Sequence, residues 1–257
     1  MPFRPLFLLS LFATTAAHAA TLNVPLTGHA LAIDTPCAEH VDIQPDPTLH
    51  DQVTLQATAE HPEEIDRLVL ASGNTASIRT NKEGCGHTDL FGPHRTLTLS
   101  IRVPAGFPLD IDESGAGRYQ IGPVNGPMKI DLSGAAELTI AQATQLDVDI
   151  SGEGNITLGQ ARGAAHINMS GHGRIAIDHA VMPNLDADMS GAGALTIAAG
   201  DIGQVKIDDS GLGAIRLETT VADAAVDISG AGSVHFAKLT GTLNKDISGM
   251  GAVTVGN

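Results

Sequence analysis

The pattern Ser-Gly-X-Gly returns eight times after residue 106, and nothing else in the chain constrains the fold as tightly. Its serines are Ser114, Ser133, Ser151, Ser170, Ser190, Ser210, Ser229 and Ser248, separated by 19, 18, 19, 20, 20, 19 and 19 residues. Ala136 is the single departure among the second glycines. So constant a period makes each copy one structural unit, which must stack on its neighbours to bury its apolar side.

Within a copy, the positions one, three and five before the serine are mostly apolar, as in Leu146, Val148 and Ile150, and the residues between them are mostly polar. That alternation is the period of a strand. A second alternating pair lies five and seven after the serine, as in Leu138 and Ile140, Ile156 and Leu158, or Val234 and Phe236. The remaining residues carry Gly, Pro, Asn and Thr around one apolar side chain, such as Val124, Val181, Val221 or Leu239, which fits a short third side. Alternation with period two excludes a helical solenoid. The predicted fold is all-β: a single-stranded parallel β-helix, or β-solenoid, of eight coils. With neighbouring strands ~4.8 Å apart, the stack would be roughly 35–40 Å long. Right-handed winding is expected from the general bias of parallel crossovers.

Glycine one and three places after the serine is expected to permit positive φ and close approach of successive coils. An acid or its amide stands two residues before every serine: Asp112, Asp131, Asp149, Asn168, Asp188, Asp208, Asp227 and Asp246. Both side chains can hydrogen-bond local backbone, so this column and the serines are read as corner formers. Carboxylates stacked ~4.8 Å apart repel by about 1 kcal/mol per neighbouring pair in water, and a bound cation would relieve that. Calcium-binding β-rolls, however, place their Asp after the glycines of a much shorter repeat. No metal and no cofactor is assigned.

Residues 1–19 read as a signal peptide: Arg4, an apolar run over 6–12, and Ala17-His18-Ala19 as the cleavage signature. The run is too short to span a bilayer, no later stretch approaches ~20 apolar residues, and no cysteine sits at the cleavage point to take a lipid. The expected product is exported, periplasmic or extracellular at the cell surface, with no transmembrane segment. In an oxidising compartment the two cysteines, Cys37 and Cys85, are expected to pair as a structural disulfide. Closing that loop would remove roughly 4 kcal/mol of unfolded-chain entropy. Residues 20–105 lack the period but alternate in short runs, at 53–57 and 97–103, with a helical turn or loop over 63–70. This segment is expected to be an N-terminal β-rich cap, because an open solenoid edge invites pairing with other chains. Its last strand should run through Pro104 and Pro108 directly into coil one of the solenoid, residues 106–257.

Without Arg4 the chain has 29 acidic residues against 13 basic ones, and no cluster of Lys or Arg. That excludes nucleic acid and disfavours an anionic membrane surface. Only Phe91, Phe107, Tyr119 and Phe236 remain as aromatics, so recognition by stacking is not expected.

The outward position six after the serine reads Gln120, Thr139, Thr157, Ala176, Thr196, Arg216, His235 and Thr254. Arg216 and His235 should stack on adjacent coils with Glu218 nearby, the best candidate constellation for a carbohydrate-active enzyme, although a solvated face is the plainer expectation. The threonines do not form the unbroken array an ice-binding face would need. Cys85-Gly86-His87 and His166, His172 and His179 lack the two-ligand spacing of a zinc motif. No catalytic residue is assigned.

Alternating strands, a strand ending in Val103-Pro104, and repeated Asp-X-Ser-Gly-X-Gly copies resemble the putative auto-transporter adhesin head domain, or GIN domain, over residues 38–257. The resemblance implies an exported β-helical protein and supplies no catalytic residues. The chain is not expected to be a complete autotransporter. The expected function is therefore a non-catalytic envelope module for binding, adhesion or structure, with an envelope protein or polysaccharide as partner. A β-helical polysaccharide lyase or hydrolase is the alternative, and end-to-end self-association through Val253 and Val255 a third expectation.

Overall fold

The computed structural model describes residues 19–81 and 95–256. The eight marked coils form a β-solenoid whose strands stack in parallel register. On the first side Ile111, Ile130, Val148, Ile167, Ala187, Ile207 and Val226 follow one another as register partners, all buried. On the second side Tyr119, Leu138, Ile156, Ile175, Leu195, Ile215 and Val234 do the same. Each Val, Leu or Ile among them stabilises the stack by ~1.5–3 kcal/mol on burial, and none could do so in a lone coil.

The third side is more regular than its Gly- and Pro-rich composition suggests. Arg174–Met189 and Ala214–Ile228 are continuous strands that run from the second side of one coil to the first side of the next. Met182, Ile202 and Val221 form its inward column. Val181, expected there, is half exposed and points outward, because the neighbouring Met182 takes the core position.

At the corners the motif glycines act through space and not through backbone conformation. None of the motif glycines has positive φ; among described glycines that conformation belongs to Gly106, Gly163 and Gly200, outside the motif. What the first glycine supplies is room. A Cβ on Gly191 would lie 2.0 Å from the carbonyl oxygen of Gly171, the first glycine of the preceding coil. The coils approach so closely because their backbone ladder continues around the bend. Ser190 and Gly191 both donate their N–H groups to the Met169 carbonyl, and Ala192 donates to Gly171.

The segment before the repeat contributes β1 (Ala20–Thr27), β2 (Ala30–Asp34), β3 (His40–Pro45), β4 (Gln52–Ala59), α1 (Pro62–Asp66), β5 (Leu68–Ala71), β6 (Thr75–Thr80) and β7 (Thr98–Val103). Coil one follows with β8 (Leu109–Glu113) and β9 (Arg118–Ile121). The segment is only partly a cover. β2 and β3 pair in parallel with β8 and β9, so they form a further coil, here termed coil zero. β6 and β7 stack in parallel on the other side of coil zero. The chain therefore does not run from β7 onto an adjacent coil; it passes coil zero to reach β8. The covering is done by β4, antiparallel on β7, by β1, antiparallel on β4, and by β5, antiparallel on β6. α1 packs against β1 and β4, with Pro62 in its first turn where a missing N–H costs nothing. No helix among the described residues is long and apolar enough to cross a membrane.

Coil zero had no Ser-Gly-X-Gly to announce it. Register aligns Asp34 with Asp112 and His40 with Arg118, so Thr35, Pro36 and Cys37 stand opposite Glu113, Ser114 and Gly115. Leu31 and Ile33 before the bend, and Val41 and Ile43 after it, keep the spacing of every other copy.

Candidate functional site

The acid column is real and longer than the motif. Asp34, Asp112, Asp131, Asp149, Asn168, Asp188, Asp208, Asp227 and Asp246 are successive register partners along one face. Beside it runs a column that lies outside the Asp-X-Ser-Gly-X-Gly motif, four residues before each serine: Asp110, Lys129, Asp147, His166, Asp186, Lys206, Ala225 and Asn244. Its first six members alternate acid with base. Reading the same offset down all copies would have revealed it.

The two columns balance each other in part. Lys206 donates to Asp208 and lies 3.9 Å from Asp186. His166 Nδ1 is 3.7 Å from Asp186, and Asn168 donates to Asp149 at 3.3 Å, so the one amide of the acid column places a donor between carboxylates. Repulsion remains. Partial burial, then Asp112 and Asp149 above and below it, hold the Asp131 carboxyl above its ordinary range. Partial burial, then Asp186 and Asp208, do the same to Asp188. The aspartates are thus directed along the stack, while the corner N–H groups go to carbonyls of the preceding coil.

Along the Asp and Ser columns of coils four to seven lies an open groove of about 300 Å³, lined by Asn168, Asp188, Ser190, Asp208, Ser210, Asp227 and Ser229, with Met189 and Asp209 of the inward column at its floor. Leu212, at the corner tip of coil six, is 66 % exposed. Among the described residues, His166, Asp186 and Asp188 form a group whose potential ligand atoms lie within 4.8 Å of one another. The Lys206 ammonium at its edge already supplies positive charge there. His172 and His179 do not join it: His172 is an exposed corner tip, and His179 stands in register with Gln160.

On the opposite side of the corner the column six after the serine is also in register, from Gln120 to Thr254. Arg216 donates to Glu218 at 3.0 Å, His235 Nε2 lies 4.0 Å from the same carboxylate, and His235 Nδ1 is 2.9 Å from the Thr254 hydroxyl. The expected constellation is therefore assembled, on an exposed surface.

Among the described residues, two acids point inward instead. Glu113, one residue before Ser114, is fully buried; it accepts hydrogen bonds from Tyr119 Oη and the Gly115 N–H, and Tyr119 Oη also meets the Thr35 hydroxyl at 3.0 Å. Burial raises the Glu113 carboxyl above its usual range against these bonds, and raises the Tyr119 phenol further. Asp209 is the equivalent residue of coil six. Its Oδ1 accepts the Gly211 N–H at 2.9 Å, and its Oδ2 has no hydrogen-bond partner among the described residues.

Cys37 is buried in the bend of coil zero, with its Sγ 3.7 Å from the Asn81 carbonyl oxygen. Its expected partner Cys85 lies outside the described residues, as does the expected signal peptide up to residue 18.

No curated protein matches the sequence. Among solved structures, one described as a putative adhesin from Parabacteroides distasonis superposes with a TM-score of 0.64 at 11 % identity, covering 93 % of this chain and 98 % of that one. A putative lipid binding protein from the same species gives 0.61 at 15 % identity, covering 94 % and 98 %. A putative adhesin from Parabacteroides merdae gives 0.62 at 9 % identity, again covering 94 % and 98 %. At these identities the likeness establishes the fold. The family model described as putative auto-transporter adhesin, head GIN domain, matches residues 38–202 and 160–257, and together these run from the end of the coil-zero bend through every marked coil. The chain belongs to that family.

Proposed function

We propose that this chain is a non-catalytic recognition module, exported to the cell envelope, that binds an extended polymer, polysaccharide or protein, along its Asp and Ser columns. The observation that carries this reading is the continuity of those columns through every marked coil, with an open polar groove along them on coils four to seven. Small-molecule sites are concave and mostly apolar. This groove is shallow and lined mainly by carboxylates and hydroxyls, with the Asn168 amide and Met189 among them, and the polar groups can accept from or donate to sugar hydroxyls or cationic side chains at a repeating interval. Many weak, evenly spaced contacts suit a long partner better than a compact one. The family assignment supports an adhesin-like role at the envelope.

A second reading, a β-helical carbohydrate-active enzyme, is favoured by one observation, the meeting of Arg216, Glu218 and His235 on adjacent coils. One experiment separates the two. The signal-free protein is offered to an array of envelope and extracellular polysaccharides, with product analysis of each. Binding without products, weakened by Asp188→Asn with Asp208→Asn, is the expected result. Products lost in Glu218→Gln would overturn it in favour of catalysis. Silence throughout would remove polysaccharide and leave a protein partner.

A further inference from the structure

The two ends of the stack are protected by different means. At one end β1, β4, β5 and α1 lie over the parallel coils. At the other, among the described residues, strands Leu243–Ile247 and Ala252–Val255 of coil eight pair only with coil seven. Their inward side chains are correspondingly uncovered. Val226, Ile228, Val234 and Phe236 of coil seven are all buried, whereas their register partners in coil eight include Val255, which is 41 % exposed. A row of free backbone groups beside an open core is a template for pairing with another chain.

One residue breaks the column there. The inward position three before the serine is apolar in every preceding coil, Ile111, Ile130, Val148, Ile167, Ala187, Ile207 and Val226, and in coil eight it is Lys245. Any apolar surface laid over coil eight would have to bury that ammonium without a partner, a cost far larger than the burial of the flanking Leu243 and Ile247 returns. On coil eight itself the charge is harmless, because the side chain is exposed.

We propose that Lys245 is a stop residue: it keeps the open face of coil eight from associating with the open face of a second copy of this chain. The second copy is the relevant occupant because it presents the same unpaired strands and the same exposed apolar residues, which are self-complementary in an antiparallel pairing. With Lys245 in place, two ammonium groups would meet at the centre of that contact.

Sedimentation velocity of the signal-free protein across a wide concentration range tests this, with circular dichroism melting as the control for folding. The wild type should sediment as one species of monomer mass. Lys245→Val should be folded and shift towards twice that mass as concentration rises. Lys245→Gln, which keeps length and removes charge, should shift in the same direction if the valine variant does not fold. Lys245→Arg should remain monomeric. A wild type that already associates, a folded Lys245→Val and Lys245→Gln that stay monomeric, or a Lys245→Arg that associates would each overturn the proposal. None of these outcomes depends on whether the polymer-binding reading holds, since coil eight contributes no residue to the groove on coils four to seven.

Discussion

Coils one and six each turn a carboxylate inward at the same place in the repeat, and they surround it differently. Glu113 and Asp209 both stand one residue before the motif serine and both accept the N–H of the first glycine, Gly115 or Gly211. In coil one the residue five after the serine is Tyr119, whose hydroxyl donates to Glu113, and the preceding coil adds Thr35 to the network. In coil six the same two places hold Ile215 and Met189, which have nothing to donate. Asp209 Oδ2 is left under the glycines instead, 3.0 Å from where a Cβ on Gly213 would stand and 1.6 Å from one on Gly232. A buried acid in a solenoid is tolerable or costly according to what the column beside it offers.

The same comparison explains the one irregular motif copy. In other coils a Cβ on the second glycine would strike the side chain one before the serine of the coil above, such as Leu132 against Gly154 or Ile228 against Gly251. Above coil two that side chain is Glu113, drawn onto Tyr119 and Gly115, and there Ala136 fits, fully buried.

The largest expected effect breaks the comparison directly. Gly232→Ala should destabilise the protein by about 4 kcal/mol in urea denaturation, because the Asp209 carboxylate must move with no partner to receive it. In an Asp209→Ala background most of that loss should vanish, since the obstructing group is gone. An equal cost in both backgrounds would mean that the backbone, and not Asp209, sets the glycine requirement.

Next in size is Tyr119→Phe, which should cost about 3 kcal/mol by leaving one Glu113 oxygen buried and unbonded. Its pH dependence sharpens the test. Burial raises the Glu113 pKa in the folded state, so the contribution of this group to stability grows as pH falls from neutrality and is lost as pH rises through the folded value. The Tyr119 bond works the other way, favouring the carboxylate. Without it the folded pKa climbs further, and the penalty of Tyr119→Phe should shrink towards acid pH. A penalty that grew on acidification would show that Glu113 is not the group affected.

The smallest change should run in the opposite direction. Asp209→Met places the coil-five residue in coil six and should stabilise by about 1–2 kcal/mol, read as a higher denaturation midpoint with unchanged slope. A loss would indicate that Asp209 has a partner beyond the described residues.

Much of this was legible beforehand where it depended on local chemistry. Alternation assigned the inward and outward faces of the first two sides from Leu109 to Phe236, though not of the third, where Met182 and not Val181 is inward, and the spacing of the serines set the register in which Arg216 and His235 became neighbours. Coil zero was missed because Pro36, Cys37 and Glu39 replace Ser, Gly and Gly, although Val41 and Ile43 keep the correct offset. The motif glycines were rightly expected to allow close approach, but positive φ plays no part in them.

By itself, then, the sequence determined the repeat, its strands and its polar columns, since each follows from periods of two and about nineteen that any copy carries within it. Only the tertiary structure decided which acids are satisfied. The donors that matter come from other coils and from across the bend, as with Thr35 and Tyr119, 84 residues apart, and no property of a single copy encodes them. The same holds for the two ends, where an outer layer of strands covers one edge and a lysine in an apolar column marks the other, because exposure of a coil is decided by what stacks on it.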